Sequence, residues 1–249
     1  MWNCRGARKK EVGHLLRDLF LRWGISFVGL SETLVEDLSQ SDVDRWRAEI
    51  GILCIIHRRA GRGVLRCCGG VTLCSLCRSL SRQCVIGDVT FPDKRCWRVV
   101  FVYANKDAYV RRQLWSLLAQ FATPDLPMNV GGDFNCLLRP EERHGSRPFV
   151  YSQGSLEMDA AVAELDLQEP SFTGPAFSWC NNQPGLGRVL GHLDRVFVNS
   201  VGLDVIPLGS VWHLPRVSSD HCPLLLALGQ VRAARQSRWI RFEDTWLSY

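Results

Sequence analysis

The sequence predicts an α/β fold of alternating helices and strands, on three observations. An amphipathic helical pattern is followed at once by a short apolar run, further apolar or β-branched runs recur beside Gly, Pro, Asn or Asp, and two more helical stretches fall among them. The chain has material for a substantial core: 249 residues, 46% hydrophobic and 22% charged. That size fits one large domain or two small ones and argues against disorder or a coiled coil.

The elements follow in order. Lys9 to Trp23 carries Val12, Leu15, Leu16, Leu19 and Phe20 at three-and-four spacing, which makes one helical face, and Gly24 is placed to stop it. Ile25 to Leu30 reads as a buried strand. Further strands are expected at Gly70–Leu76, Arg98–Tyr103, Pro127–Gly131, Arg195–Val198 and Pro223–Leu228, and helices at Ala108–Phe121 and Ser155–Leu167. The stretch Arg58–Arg82, rich in arginine and cysteine, reads as a drifted loop. No repeat, low-complexity tract or Pro/Ser-rich linker interrupts residues 1–229, which are expected to form one domain. Residues 230–249 turn basic and then aromatic (Arg232, Arg235, Arg238, Trp239, Arg241, Phe242, Trp246) and read as a linker stub.

Charge alone names no partner. Thirty basic against 25 acidic residues leaves +5, a mild bias at this length. Lysine occurs only at Lys9, Lys10, Lys94 and Lys106; the rest is arginine, which grips phosphate bidentately, although coding bias gives the same composition. Eleven cysteines are an odd count in a chain too long for a typical secreted disulfide scaffold, so a reducing, intracellular setting is expected. Met1–Lys10 is polar, unlike a signal peptide, and Leu15–Leu30 is broken by Arg17, Asp18 and Arg22 and too short to span a bilayer. A soluble protein without a membrane partner is expected.

The informative pattern is where polar residues fall. Ser31-Glu32-Thr33 follows an apolar strand, Asp133-Phe134-Asn135 follows Val130-Gly131-Gly132, and Ser219-Asp220-His221 precedes Pro223–Leu228. A carboxylate at a strand end is commonly a cap or a solvated turn. Three such clusters supplying Glu, Asp, Asn, Asp and His are better explained as one site for a hard divalent cation and a phosphate. Oxygen donors select magnesium or manganese over zinc. Cys74 and Cys77 form a Cys-x-x-Cys, but no second pair stands at zinc spacing, so these read as buried or idle thiols.

Trp2-Asn3-Cys4-Arg5-Gly6, Ser31-Glu32-Thr33, Val102-Tyr103, Gly131-Gly132-Asp133-Phe134-Asn135, Phe177-Ser178-Trp179, Leu193-Asp194-Arg195 and Ser219-Asp220-His221 resemble, in order and rough spacing, the motifs of the endonuclease/exonuclease/phosphatase superfamily. Within it the sequence is most similar to the apurinic-type endonuclease domain of plant non-LTR (LINE-type) retrotransposons. There Trp-Asn-Cys-Arg-Gly opens the domain and a segment like Arg241–Trp246 leads to the reverse transcriptase. The ordered set covers essentially the whole chain and is specific, whereas Gly-Asp-Phe-Asn alone is only suggestive.

The resemblance implies a four-layer α/β sandwich of the pancreatic-deoxyribonuclease type, two mixed sheets flanked by helices with the site at one end. It implies Glu32 as metal carboxylate, with Asn3 completing the metal shell and Asp220 supporting it. Asp133 would orient or deprotonate the attacking water; Asn135, His221 and Tyr103 would contact the phosphate; Asp194 would fix the His221 tautomer. Taken singly, Asn3 could cap a turn, Tyr103 could be core, Asp194 could pair locally with Arg195, and Trp179 reads as packing. The implied activity is Mg2+-dependent (Mn2+ possible) nicking of DNA to leave a 3′ hydroxyl, by a monomer acting in the nucleus on chromosomal DNA. The alternatives are a phosphatase or phosphodiesterase on a small or lipid phosphate, and a catalytically dead remnant that at most binds nucleic acid.

The chain departs from the pattern in places. Met1 stands directly before Trp2, so the first strand is expected to be truncated and the Asn3 contact weakened. Leu34 replaces a common lysine, and His192 a common arginine.

Overall fold

A computed structural model describes residues 1–7, 10–23, 25, 27–34, 52–56, 63–67, 74–91, 93–206 and 210–228. The expected stub at 230–249 lies outside them. Strands in chain order are β1 (Trp2–Asn3), β2 (Phe27–Ser31), β3 (Ile52–Ile56), β4 (Gly63–Cys67), β5 (Cys74–Leu80), β6 (Cys84–Thr90), β7 (Cys96–Tyr103) and β8 (Met128–Asp133). There follow β9 (Arg143–His144), β10 (Leu167–Gln168), β11 (Phe172–Thr173), β12 (Trp179–Cys180), β13 (Leu190–Gly191), β14 (Asp194–Asn199), β15 (Val211–His213) and β16 (Leu224–Leu226). The helices are α1 (Lys10–Trp23), α2 (Ala108–Phe121), α3 (Gln153–Glu164) and α4 (Ser200–Leu203).

One sheet has the order β1-β2-β3-β4 and another β10-β14-β8-β7-β6-β5, both mixing parallel and antiparallel pairs. Met1 donates its amine to the Leu224 carbonyl and accepts from the Leu224 amide, both at 2.8 Å. This ties β1 to the β11-β15-β16 sheet, so the two act as one surface. Alternation along β7 then builds both interfaces. Val100 and Val102 face outward, where Leu114 and Leu118 of α2 and Met158 of α3 cover them. Phe101 and Tyr103 face inward, against Met1 and Phe27. The sheets lie so close that a Cβ at Gly29 would fall 2.5 Å from the Phe101 ring. Helix α1 closes the far side with Val12 and Leu16 on Trp2, Val28 and Leu30. The result is a four-layer sandwich, helix–sheet–sheet–helix.

Local chemistry explains the element boundaries. Helix α2 starts where expected because the Asp107 side chain accepts from the Tyr109 and Val110 amides. Helix α3 starts at Gln153, earlier than expected, because Ser152 accepts from the Ser155 amide. It ends at Glu164 rather than Leu167: Asp166 takes φ of 53° and Leu167 pairs instead with Asn199.

The expected loop over Arg58–Arg82 is corrected, since it contains β4 and the whole of β5. β4 pairs antiparallel with β3, and β5 with β6; neighbouring strands meet backbone needs that composition does not reveal. Arg78 Nε donates to Asp88 Oδ2 at 2.7 Å, and Arg98 takes the same carboxylate from β7. The strand expected from Gly70 begins at Cys74 among the described residues, and β6 was not anticipated.

His213 gives the fold a measurable acid sensitivity. It is buried, stacked on Phe172 with centroids 3.8 Å apart, and its Nδ1 bonds the Pro175 carbonyl at 2.9 Å. Burial first, and then the neighbouring His192, push its pKa down to about 4. The unfolded imidazole takes up a proton near pH 6.5, so its stabilising effect is full above that value and is lost as pH falls from there toward 4. Between pH 7.5 and pH 4.5, urea unfolding is expected to cost the wild type about 2–3 kcal/mol more than His213→Asn. Equal losses in the two proteins contradict this.

Candidate active site

Strand ends from both sheets deliver the polar clusters to one place. The register of β14 on β8 sets Asp194 opposite Asp133, that of β7 on β8 sets Tyr103 opposite Asp133, and that of β1 on β2 sets Asn3 opposite Ser31. Gly132 makes the approach possible: at φ of 138°, a Cβ there would lie 2.0 Å from the Val102 carbonyl oxygen.

The inner part of the site is dry. Asp133, Asp194, His221 and Asn3 are each 2% exposed. His221 Nδ1 donates to Asp194 Oδ2 at 2.9 Å, while Nε2 stands 3.9 Å from Asp133 Oδ2 and 4.0 Å from Asp220 Oδ1. Asn3 Nδ2 donates to Asp133 Oδ2 at 3.1 Å and lies 3.4 Å from His221 Nε2. The other Asp133 oxygen accepts from the Asn135 amide at 2.9 Å. Asn135 sits at φ of 49°, with its side-chain nitrogen donating to the Ala104 carbonyl and one hydrogen left over.

The outer part is half open. Glu32, at φ of 50°, accepts from the Tyr103 hydroxyl. Arg5 Nε lies 3.0 Å from Glu32 Oε2 and 3.0 Å from Asp220 Oδ1. The other Asp220 oxygen accepts from the Trp179 indole at 3.1 Å.

The electrostatics follow from burial. Loss of water, and then the charge of Asp194, hold the Asp133 carboxyl above the usual carboxylate range, with His221 and the Asn3 bond pulling the other way. Burial alone would lower His221, but the charge and hydrogen bond of Asp194, aided by Asp133 and Asp220, outweigh it and raise the imidazole above its ordinary value. At neutral pH His221 is therefore a cation with Nε2–H aimed into the site.

Two donor sets could hold a metal. Ligand atoms of Asp133, Asp194 and His221 lie within 4.8 Å of one another, but a charged imidazole already bonded to Asp194 offers no lone pair. The second set is Glu32, Asp220 Oδ1 and Asn3 Oδ1. The last two oxygens are buried and lack a hydrogen-bond partner, which is what a hard oxygen-seeking cation satisfies.

All eight candidates thus have a described place. Asn3, Tyr103, Asp133, Asp194 and His221 form one connected cluster with Glu32 and Asp220, and Asn135 joins through the Asp133 carboxylate. Asp194 does not pair with Arg195, whose guanidinium reaches Glu169 at 2.8 Å and also Glu142. With Met1 paired to Leu224, Asn3 keeps its place beside Ser31 and its Nδ2 bond to Asp133, while its Oδ1 lacks a partner. Sequence reasoning missed four residues. Arg5 bridges Glu32 and Asp220, and Trp179, read as packing, holds Asp220. Ser178 Oγ accepts from the Leu193 and Asp194 amides, and Ser219 Oγ donates to the Asn3 carbonyl at 2.7 Å while accepting from the His221 amide. All four lie inside the quoted motifs, which was the available signal.

No protein-family model and no curated protein matches the chain. Among solved structures it is similar to the endonuclease domain of TRAS1, a telomere-specific non-LTR retrotransposon, with a TM-score of 0.56 and 14% identity over 83% of this chain and 97% of that one. It is also similar to the catalytic domain of Xenopus laevis APE2 (TM-score 0.48, 13% identity, 94% and 93% covered). TDP2 from Caenorhabditis elegans follows (TM-score 0.44, 12% identity, 91% and 73% covered). The chain shares the fold of the TRAS1 endonuclease domain.

The buried pair sets a pH signature. His221 supports folding at pH values below its unfolded pKa, and that support is lost as pH rises through the raised folded value. In the metal-free protein, NMR titration of the imidazole is expected to give a midpoint above 6.5, which Asp194→Asn moves down. An unmoved midpoint means that Asp194 does not set the charge.

Proposed function

We propose that the chain is a divalent-metal-dependent phosphodiesterase that nicks DNA to leave a 3′ hydroxyl, as the endonuclease of a plant-type LINE retroelement acting in the nucleus. The observation that carries this reading is the meeting, at one end of two sheets, of a buried Asp133–His221–Asp194 cluster with the half-open Glu32–Asp220 pair. The fold it shares with a retrotransposon endonuclease domain supports it.

The residues divide the work by their environment. Asp133, held above the ordinary carboxylate range by burial and Asp194, is suited to take a proton from an attacking water at neutral pH. Its oxygens are fixed by the Asn3 amide and the Asn135 backbone, so the base does not wander. His221, charged and oriented by Asp194, donates Nε2–H to a non-bridging phosphate oxygen, where negative charge builds as the water adds. The spare Asn135 side-chain hydrogen reaches for the same group, while the Tyr103 hydroxyl, whose one hydrogen goes to Glu32, orients that carboxylate beside the phosphate. Glu32, Asp220 and Asn3 would hold Mg2+ or Mn2+, which when bound neutralises phosphate charge and assists the leaving oxygen.

Nicking of supercoiled plasmid in Mg2+, with nicks primed for extension by a polymerase, tests this directly. Asp133→Ala and His221→Ala, once checked for folding by circular dichroism, are expected to lose about 100-fold or more in rate. Equal nicking by all three proteins removes the claim. Turnover of an inositol phosphate without nicking transfers it to a small-phosphate hydrolase, and no turnover of either substrate by folded wild type leaves a dead remnant.

A further inference from the structure

We propose that the Arg5 guanidinium and a divalent cation are alternative occupants of the Glu32–Asp220 carboxylate pair, so that the chain carries its own competitor for the ion. This rests on the metal reading above. Arg5 Nε stands 3.0 Å from Glu32 Oε2 and 3.0 Å from Asp220 Oδ1, between the two carboxylates that would hold the ion. One guanidinium nitrogen and a cation ligated by those same oxygens cannot share the position.

The backbone puts Arg5 there. Cys4, Gly6 and Ala7 donate their amides to the carbonyls of Ser31, Glu32 and Thr33 at 3.1, 2.9 and 2.8 Å. The turn leaving β1 is thereby zipped to the turn leaving β2. Within it Arg5 adopts φ of 46°, the left-handed region that non-glycine residues rarely occupy, and its side chain falls across Glu32.

The hold is loose. Neither contact of Arg5 Nε has hydrogen-bond geometry, and Asp220 Oδ1 is left without a hydrogen-bond partner. The proximity is therefore electrostatic attraction, not the aligned fork that makes arginine–carboxylate pairs strong. Side-chain exposure of 41% for Arg5 and 16% and 15% for its partners screens the attraction further and gives the guanidinium room to leave. A divalent ion brings twice the charge and also satisfies the unpartnered Asn3 Oδ1, so it wins at sufficient concentration. Arg5 sets what that concentration is.

Calorimetric titration of the full chain with Mn2+ alone reads this without reference to turnover. Arg5→Ala is expected to bind the ion about two- to fivefold more tightly than wild type, the size of effect that a partly exposed ion pair accounts for. Arg5→Gln keeps the side-chain length and is expected to match Arg5→Ala, whereas Arg5→Lys stays near wild type and Glu32→Gln weakens binding. A second measurement needs no substitution: the Arg5 Nε–H resonance of the wild type is expected to shift as Mg2+ is added. Equal or weaker binding by Arg5→Ala and Arg5→Gln, or an unmoved resonance under saturating Mg2+, overturns the competition alone. Absence of ion binding by wild type and Arg5 variants alike overturns the metal reading, and this inference with it.

Discussion

Two aspartates buried side by side are the constraint on which the rest of the structure depends. The antiparallel register of β14 on β8 places Asp194 opposite Asp133, both 2% exposed. Two like charges in a dry interior repel and lose their hydration, a cost of several kcal/mol unless a cation and hydrogen bonds offset it. His221 is that cation. It arrives from the loop before β16, which reaches the site because the Leu224 pairing with Met1 draws β16 alongside β1. Asn3 supplies the remaining amide. The two sheets are therefore joined at this end by a charge requirement as well as by the apolar packing of Met1 and Phe27 on Phe101.

The same arrangement separates two kinds of chemistry. Inside, donors and acceptors are matched almost one to one: Asp133 receives Asn3 and Asn135, Asp194 receives His221, and the Asp194 amide is taken by Ser178. Matched groups in a low-dielectric setting are stiff and hold a proton where it is needed. Outside, Glu32, Asp220 and Arg5 keep partial access to water, and the unsatisfied oxygens of Asn3 and Asp220 mark the boundary. Positive φ values at Arg5, Glu32 and Asn135 fall along that same boundary. Strain gathered where side chains must converge is a usual mark of a site built for something other than stability.

Much of the architecture was legible because it is written in local signals. Helix α2 is bounded by Asp107 before it, β14 carries Val196, Phe197 and Val198 in a row, β8 runs into the Gly131-Gly132 pair, and the strand-end clusters stand out against their apolar neighbours. The parts that were not legible depend on partners distant in sequence. β4, and β5 beyond Leu76, are strands because β3 and β6 lie beside them, although their arginine and cysteine content reads as loop. Trp179 looks like a packing residue until Asp220, 41 positions away, accepts from its indole. Arg5 lies in a quoted motif, yet nothing local shows that the β1 and β2 turns zip together and lay its side chain on Glu32. The roles of the polar clusters came from an ordered set of motifs; periodicity could not have supplied them, since it reports which face is buried and not what meets at its end.

Charge balance connects the inner cluster to the outer one. Four carboxylates (Glu32, Asp133, Asp194, Asp220) meet two cations, His221 and Arg5, through the contacts around both ring nitrogens of His221 and around Arg5 Nε. With every carboxylate ionised the site is short of positive charge, and that shortage adds to burial in holding Asp133 above the usual carboxylate range. Exchanging the guanidinium for a divalent ion at Glu32 and Asp220 reduces the deficit by one charge. Arg5 would then stand beside the site with its carboxylates taken. A phosphodiester brings one negative charge, which suits that freed arginine and the His221 imidazolium together. On the proposed reading, the arginine that would compete for the ion would also be placed to meet the phosphate anion.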